Sequence, residues 1–135
     1  MKIARFEKRI LAYWIDMILP IVFSVGTIVV LAIFADIAWY FLALIGIGVQ
    51  FFLYVIITSL SLYFSNGNSI GNKAAKIRTV SENKKALRFR DCFVRTICLG
   101  FWIYPIINAI FMLVLHTEKT GPDIMTKSTN VEKNN

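Results

Sequence analysis

The chain has 135 residues, 57% of them hydrophobic and only 17% charged, with a net charge of +7. A soluble domain of this length is about 45–50% apolar and about 25% charged, so this chain lacks the polar surface needed to cover a soluble core and calls for lipid as a solvent. The positive residues lie beside apolar segments, which argues against a nucleic-acid function and for anionic lipid and the positive-inside rule.

The N-terminus, MKIARFEKRILAYWIDMILP, is basic and then apolar, as in a signal peptide. The apolar run is too long for one, carries Asp16 and has no small-residue cleavage site, so it reads as an uncleaved first span. This first apolar segment covers about residues 10–35, and about 20 helical residues suffice to cross a bilayer core. Pro20 lies inside it; membrane helices tolerate such a residue although it removes a hydrogen bond. A second apolar segment covers about residues 37–64, separated from the first by a short linker around Asp36. The two therefore predict an antiparallel helical hairpin. Trp39 and Tyr40 at one end and Tyr63 at the other suit interfacial belts. Gly46 and Gly48 offer close helix contact, although their spacing is not the GxxxG pattern.

Residues 65–92 form a basic loop, with Lys73, Lys76, Arg78, Lys84, Lys85, Arg88 and Arg90 against Glu82 and Asp91. Short loops rich in Lys and Arg stay cytoplasmic, and Lys2, Arg5, Lys8 and Arg9 place the N-terminus on the same side. Within the loop, KIRTV reads as a short strand and SENKK as a turn. ALRFRDCFVRTI reads as a helix along the interface, with Leu87, Cys92, Phe93 and Ile97 toward one side. A third apolar segment, about residues 93–115, contains Pro105 near its middle. It either spans once or forms a re-entrant hairpin broken at Pro105, and the balanced charges of the tail do not decide between the two. Residues 132–135 are expected to be a disordered tail. The fold class is thus an all-α, small polytopic membrane protein with a short cytoplasmic strand-containing loop.

Asp16 is the sharpest chemical feature. It lies about six residues, or about 9 Å, into a span, where an ionised carboxylate costs a few kcal/mol and must face other helices. It reads either as a cation or proton site or as a hydrogen-bonded or ion-paired lock between helices. Arg9 is seven residues earlier and on the same helix face, about 10 Å away along the axis. Arg95 is the better partner for Asp16 on chemical grounds; its alternative is to snorkel to headgroups. By itself, Asp123 reads as a solvated turn residue. Gln50 and Asn108 suggest interhelical hydrogen bonds, and His116 an interfacial position. Cys92 and Cys98 make no CxxC pair and no disulfide is expected. No metal site, cofactor site or nucleophile–base motif is apparent, so no enzyme is expected.

RILAYWID, GNSIGNKAAKIRTV, Arg95 and the closing D-x3-K-S-x2-V together resemble the RDD family of bacterial membrane proteins, named for an arginine and two aspartates. Arg9 and Asp16 match its R-x6-D, while Gly67, Ser69, Ile70 and Gly71 match its G-x-T-x-G-K stretch. Ile77 and Val80 fit the following strand, Arg95 matches the arginine of the last apolar segment, and Asp123 matches the second aspartate. Ser128 falls where a threonine is usual. The chain departs from the pattern at Asn72, where the family has lysine, with Lys73 next door, and at Pro122, where it has histidine. The resemblance implies a single membrane domain over residues 1–131 in a multi-pass protein of the bacterial cell membrane. It also implies pairing of the tail motif with KIRTV on the cytoplasmic face, which favours a re-entrant or double-crossing form of the third segment.

Two functions follow from the resemblance and the charges. One is a cation or proton transport protein or subunit, sodium/proton antiport having been suggested for some members. The other is a non-transporting accessory, immunity or interaction protein with structural intramembrane charges. Expected partners are the bilayer, anionic headgroups at the basic loop, and a homo-oligomer or another membrane protein.

Overall fold

The computed structural model describes residues 3–82, 87–100, 106–107, 110, 114 and 121–132. Two long helices dominate, α1 (Phe6–Phe34) and α2 (Trp39–Phe64), each long and apolar enough to cross a membrane. Only 17% and 28% of their most apolar stretches are buried. In a soluble protein such stretches would form a core. Here Val22, Val29, Leu44, Ile47 and Phe52 are exposed along the pair, an apolar surface that only lipid solvates. The chain is a membrane protein.

The hairpin turns through Ala35–Ala38, where the Ala35 amide donates to Leu31 O at 2.9 Å. Neither helix N-terminus has a side-chain cap. Two polar contacts tie the outer part of the pair. Ser24 Oγ donates to Gly46 O at 2.7 Å, and Gln50 Nε2 reaches Met17 Sδ at 3.9 Å. Gly46 is where the helices approach: a Cβ there would meet Ile28 Cδ1 at 2.3 Å, whereas one at Gly48 would meet nothing within 4 Å. Further along, Met17, Tyr54 and Val55 form an apolar core with Tyr13, Phe51, Ile97 and Leu99 against it.

A compact cap covers the end of the hairpin at which α1 begins and α2 ends. It comprises α3 (Ile70–Ala74), β1 (Ile77–Ser81), α4 (Phe89–Gly100), α5 (Gly121–Thr126) and β2 (Ser128–Glu132). The strand expected at KIRTV is β1, and it pairs antiparallel with β2, from Ile77↔Glu132 to Ser81↔Ser128. An isolated bridge, Ile3↔Val131, adds the N-terminal segment to the other side of β2. The first residues, the basic loop and the tail are thereby sewn together. Ile77 joins Ala4, Ala12 and Ala75 in a second small apolar core beneath this sheet.

Two expectations need adjustment. The buried face of α4 is Cys92, Arg95, Thr96 and Gly100, not Leu87, Cys92, Phe93 and Ile97; Phe93 is exposed. Packing against α2 and α5 selects the stripe carrying Arg95, because that charge finds its partners there. β2 extends to Glu132, one residue into the expected disordered tail, and Glu132 is held by Lys8 at 3.1 Å. In the third apolar segment, residues 106, 107, 110 and 114 are helical and exposed, while Pro105, Asn108 and His116 lie outside the described residues.

Candidate functional site

The site forms where the cap meets the hairpin, and it starts from two glycines that admit no side chain. After α2 the chain reverses at Gly67, whose φ of +90° favours glycine. A Cβ there would meet Thr79 O at 1.9 Å. Four residues on, a Cβ at Gly71 would meet Ala12 O at 1.9 Å. The short α3 therefore lies directly on the α1 backbone. Ser69 caps α3, its Oγ accepting from the Asn72 amide at 3.1 Å.

This approach delivers two donors to Asp16. Ser69 Oγ donates to Asp16 Oδ2 at 2.6 Å, and the Gly71 amide donates to Asp16 Oδ1 at 2.7 Å. The Asp16 carboxylate is thus held by the loop motif. No described hydrogen bond or ion pair joins it to Arg95, its expected partner on chemical grounds. The reason is geometric: α3 occupies the side of α1 that Asp16 faces, and Arg95 reaches another acceptor.

That acceptor is Asp123. Arg9 Nη1 donates to Asp123 Oδ2 at 2.8 Å and Arg95 Nη1 donates to Asp123 Oδ1 at 2.5 Å. All three groups are sequestered: Arg9 is 8% exposed, Arg95 4% and Asp123 0%. Asp123 is therefore not a solvated turn residue, and Arg95 does not snorkel. Arg9 Nε donates to Ala4 O at 3.0 Å, and Arg95 Nη1 also donates to Ser128 Oγ at 3.0 Å. The Thr126 and Ser128 hydroxyls lie 2.6 Å apart, completing the tail's polar face. Charge-assisted bonds of this kind are about twice as strong as neutral ones, and breaking a buried pair by removing one partner costs about 3–5 kcal/mol.

A third polar chain crosses the cap. Asn72 Nδ2 donates to Gly67 O at 3.0 Å and to Thr79 Oγ1 at 3.1 Å, and Thr79 Oγ1 donates to Asn130 Oδ1 at 2.7 Å. Between these networks lies a cavity of about 70 Å³, bordered by Arg9, Asp16, Tyr54, Thr58, Arg95 and Asn130, among others. A cavity needs about 10–15 Å³ of such space per water, so this one admits a few waters or one small ion. Two arginines and two aspartates give the cluster a formal charge of zero.

Arg9, Asp16 and Arg95 all border the cavity, and Asp123 bridges the two arginines. Gly67, Ser69 and Gly71 build the turn that holds Asp16. Lys73 does not join them: it is exposed, because position 72 is the inward one on this short helix. Sequence reasoning missed the roles of Asn72, Thr79, Asn130, Tyr54 and Thr58. The available signal for Thr79 was alternation, since Ile77 and Thr79 are the inward residues of β1. Both cysteines are free, with Cys92 buried. Among the described residues no group of three or more His, Cys, Asp or Glu is placed to hold a metal ion.

No curated protein and no solved structure matches this chain. The family model of the RDD family matches residues 3–127, nearly the whole of the cap and hairpin just described, and the chain belongs to the RDD family.

Proposed function

We propose that this RDD protein is a multi-pass protein of the bacterial cell membrane and a small cation- or proton-handling transport protein or subunit, with its site at the cytoplasmic end of the hairpin. The orientation is supported by the exposed basic residues of the cap, including Arg5, Lys73, Lys76, Arg78, Arg88 and Arg90, which the positive-inside rule assigns to the cytoplasm. Exposed Phe64 at the end of α2, with Ile70, Phe89, Ile124 and Met125 on the cap, suits a position at the headgroup boundary. Arg95 and Asp123 stand on either side of residues 101–120 and are bonded to each other. That bond favours a third segment that leaves and returns on one side.

The observation that carries the reading is that Asp16 borders a small, partly open cavity while the two arginines beside it hold Asp123 instead. The cluster is neutral as it stands, so one proton or one sodium ion at Asp16 raises it to a single positive charge. A second cation is then repelled in a low-dielectric site. Such a site loads one cation or the other, which is the logic of exchange. Between α1 and α2 the described polar contacts beyond Asp16 are those of Ser24 and Gln50. A path across the membrane therefore runs between copies of the chain or along a partner membrane protein. The role is non-catalytic.

Sodium/proton exchange in reconstituted vesicles tests this. Asp16→Asn should lower exchange by about tenfold or more, equivalent to at least about 1.4 kcal/mol, while Gly48→Ala, in open space away from the site, should retain it. Exchange that survives Asp16→Asn sinks the proposal.

The paired donors on Asp16 favour a second reading, a non-transporting accessory or interaction protein in which the charges lock the cap. In that case both Asp16→Asn and Ser69→Ala lower abundance and partner recovery, with no flux to lose.

A further inference from the structure

The two arginines invite a question that the role of Asp16 does not answer. Their guanidinium groups come from different helices, α1 and α4, and converge with one Nη1 on each oxygen of a single carboxylate. Two converging guanidinium groups suit phosphate as well as carboxylate. We propose that the Arg9–Arg95 pair is a binding site for a phosphate-type anion, occupied in this structure by the chain's own Asp123, so that the C-terminal strap, residues 121–132, competes with an external anion.

Three observations carry this. First, both described acceptors of Arg95, Asp123 and Ser128, lie on the strap. Withdrawal of the strap uncovers the pair and leaves the cluster with one excess positive charge, which a monoanion neutralises. Second, Arg9 and Arg95 both border the cavity, so an arriving anion can meet both without moving either helix. Third, the strap is held mostly by polar contacts, which an anion and water can replace. Besides Asp123 and Ser128, its described ties include a two-stranded sheet of five pairs, the Ile3↔Val131 bridge, the Thr79 Oγ1–Asn130 Oδ1 hydrogen bond and the partly exposed Lys8–Glu132 ion pair. Two-stranded sheets are marginal on their own, and the buried Asp123 contact adds a charged clasp to this one. The exposed basic residues around the cap concentrate anions at this end.

The anion is either the phosphate of an anionic phospholipid or free phosphate. The site does not depend on whether Asp16 carries a cation, so it stands or falls separately from exchange activity. Its lipid form does rest on the cap lying at the headgroup level.

The test uses the full chain in nanodiscs. The Ala4 amide donates to Asn130 O and the Glu82 amide to Lys127 O, so hydrogen exchange at Ala4 and Glu82 reports strap docking. Inorganic phosphate in zwitterionic nanodiscs, or phosphatidylglycerol in the disc without added phosphate, should speed exchange at both amides several-fold. The arm that responds identifies the source. Arg95→Gln should abolish the response. In Asp123→Ala, where the competitor is gone, inorganic phosphate should raise Tm and bind about tenfold or more tighter than in the wild type, about 1.4 kcal/mol. If Asp123→Ala does not fold, the wild-type exchange measurement decides alone. Unchanged exchange with both phosphate and phosphatidylglycerol overturns the proposal, as does phosphate binding that survives Arg95→Gln.

Discussion

The outer and capped parts of the same hairpin obey different rules. Outward from Met17, α1 and α2 touch through small and apolar residues, with Ser24 Oγ on Gly46 O as the one short polar link among the described residues. At the capped end, five elements and the N-terminal segment converge, and Arg9, Arg95 and Asp123 are buried together. In lipid a polar group must find a partner within the protein. Two helices alone offer few partners, and the cap offers many. The charges therefore gather where the chain supplies the most donors and acceptors, not where a membrane path would be shortest.

That contrast can be broken or sharpened by substitution. The largest effect is expected at Asp123→Ala, which leaves two buried arginines facing each other. Stability should fall by about 3–5 kcal/mol, read as lost abundance or as Tm in detergent. A change as small as those in the outer hairpin would show that the cap is not organised by this carboxylate. Next comes Gly71→Ala. The new methyl group would meet the backbone of Ala12 at 1.9 Å, and overpacking of this kind costs about 1–3 kcal/mol. It should also loosen Asp16, so Asp16-dependent exchange should fall with it. In the outer hairpin, Ser24→Ala should cost only about 0.6 kcal/mol, the average for interhelical hydrogen bonds in membranes. Gly48→Ala, with open space around it, should leave Tm unchanged.

The thiols give a gentler probe of the same division. Cys92 is 2% exposed, and its burial pushes the thiol pKa up, with the Arg95 guanidinium pulling the other way. Because the thiolate is the nucleophile, maleimide labelling in folded protein should be slow at Cys92 and faster at Cys98, which is only half-buried. Equal rates would mean that α4 does not stay packed on the hairpin.

Much of the architecture was written in local pattern. Long apolar runs determine the two helices, because lipid leaves the backbone no acceptor but itself. KIRTV declares a strand through β-branched alternation. Ser69 before a short helix and two glycines four residues apart mark the turn. The resemblance to the RDD family, read from those same residues, pointed to Arg9, Asp16, Arg95 and Asp123 together. Pairing was another matter. Asp16 and Arg95 are natural partners by charge, but attraction between charges depends on where the backbone carries them. Gly71 lets α3 reach Asp16 first, while antiparallel pairing of β2 with β1 brings Asp123 from the far end of the chain to both arginines. The sequence by itself determined which residues could not face lipid. Only the tertiary structure decided which of them would meet, because that choice rests on contacts between residues as far apart as Arg9 and Asp123, and no local periodicity encodes such a distance.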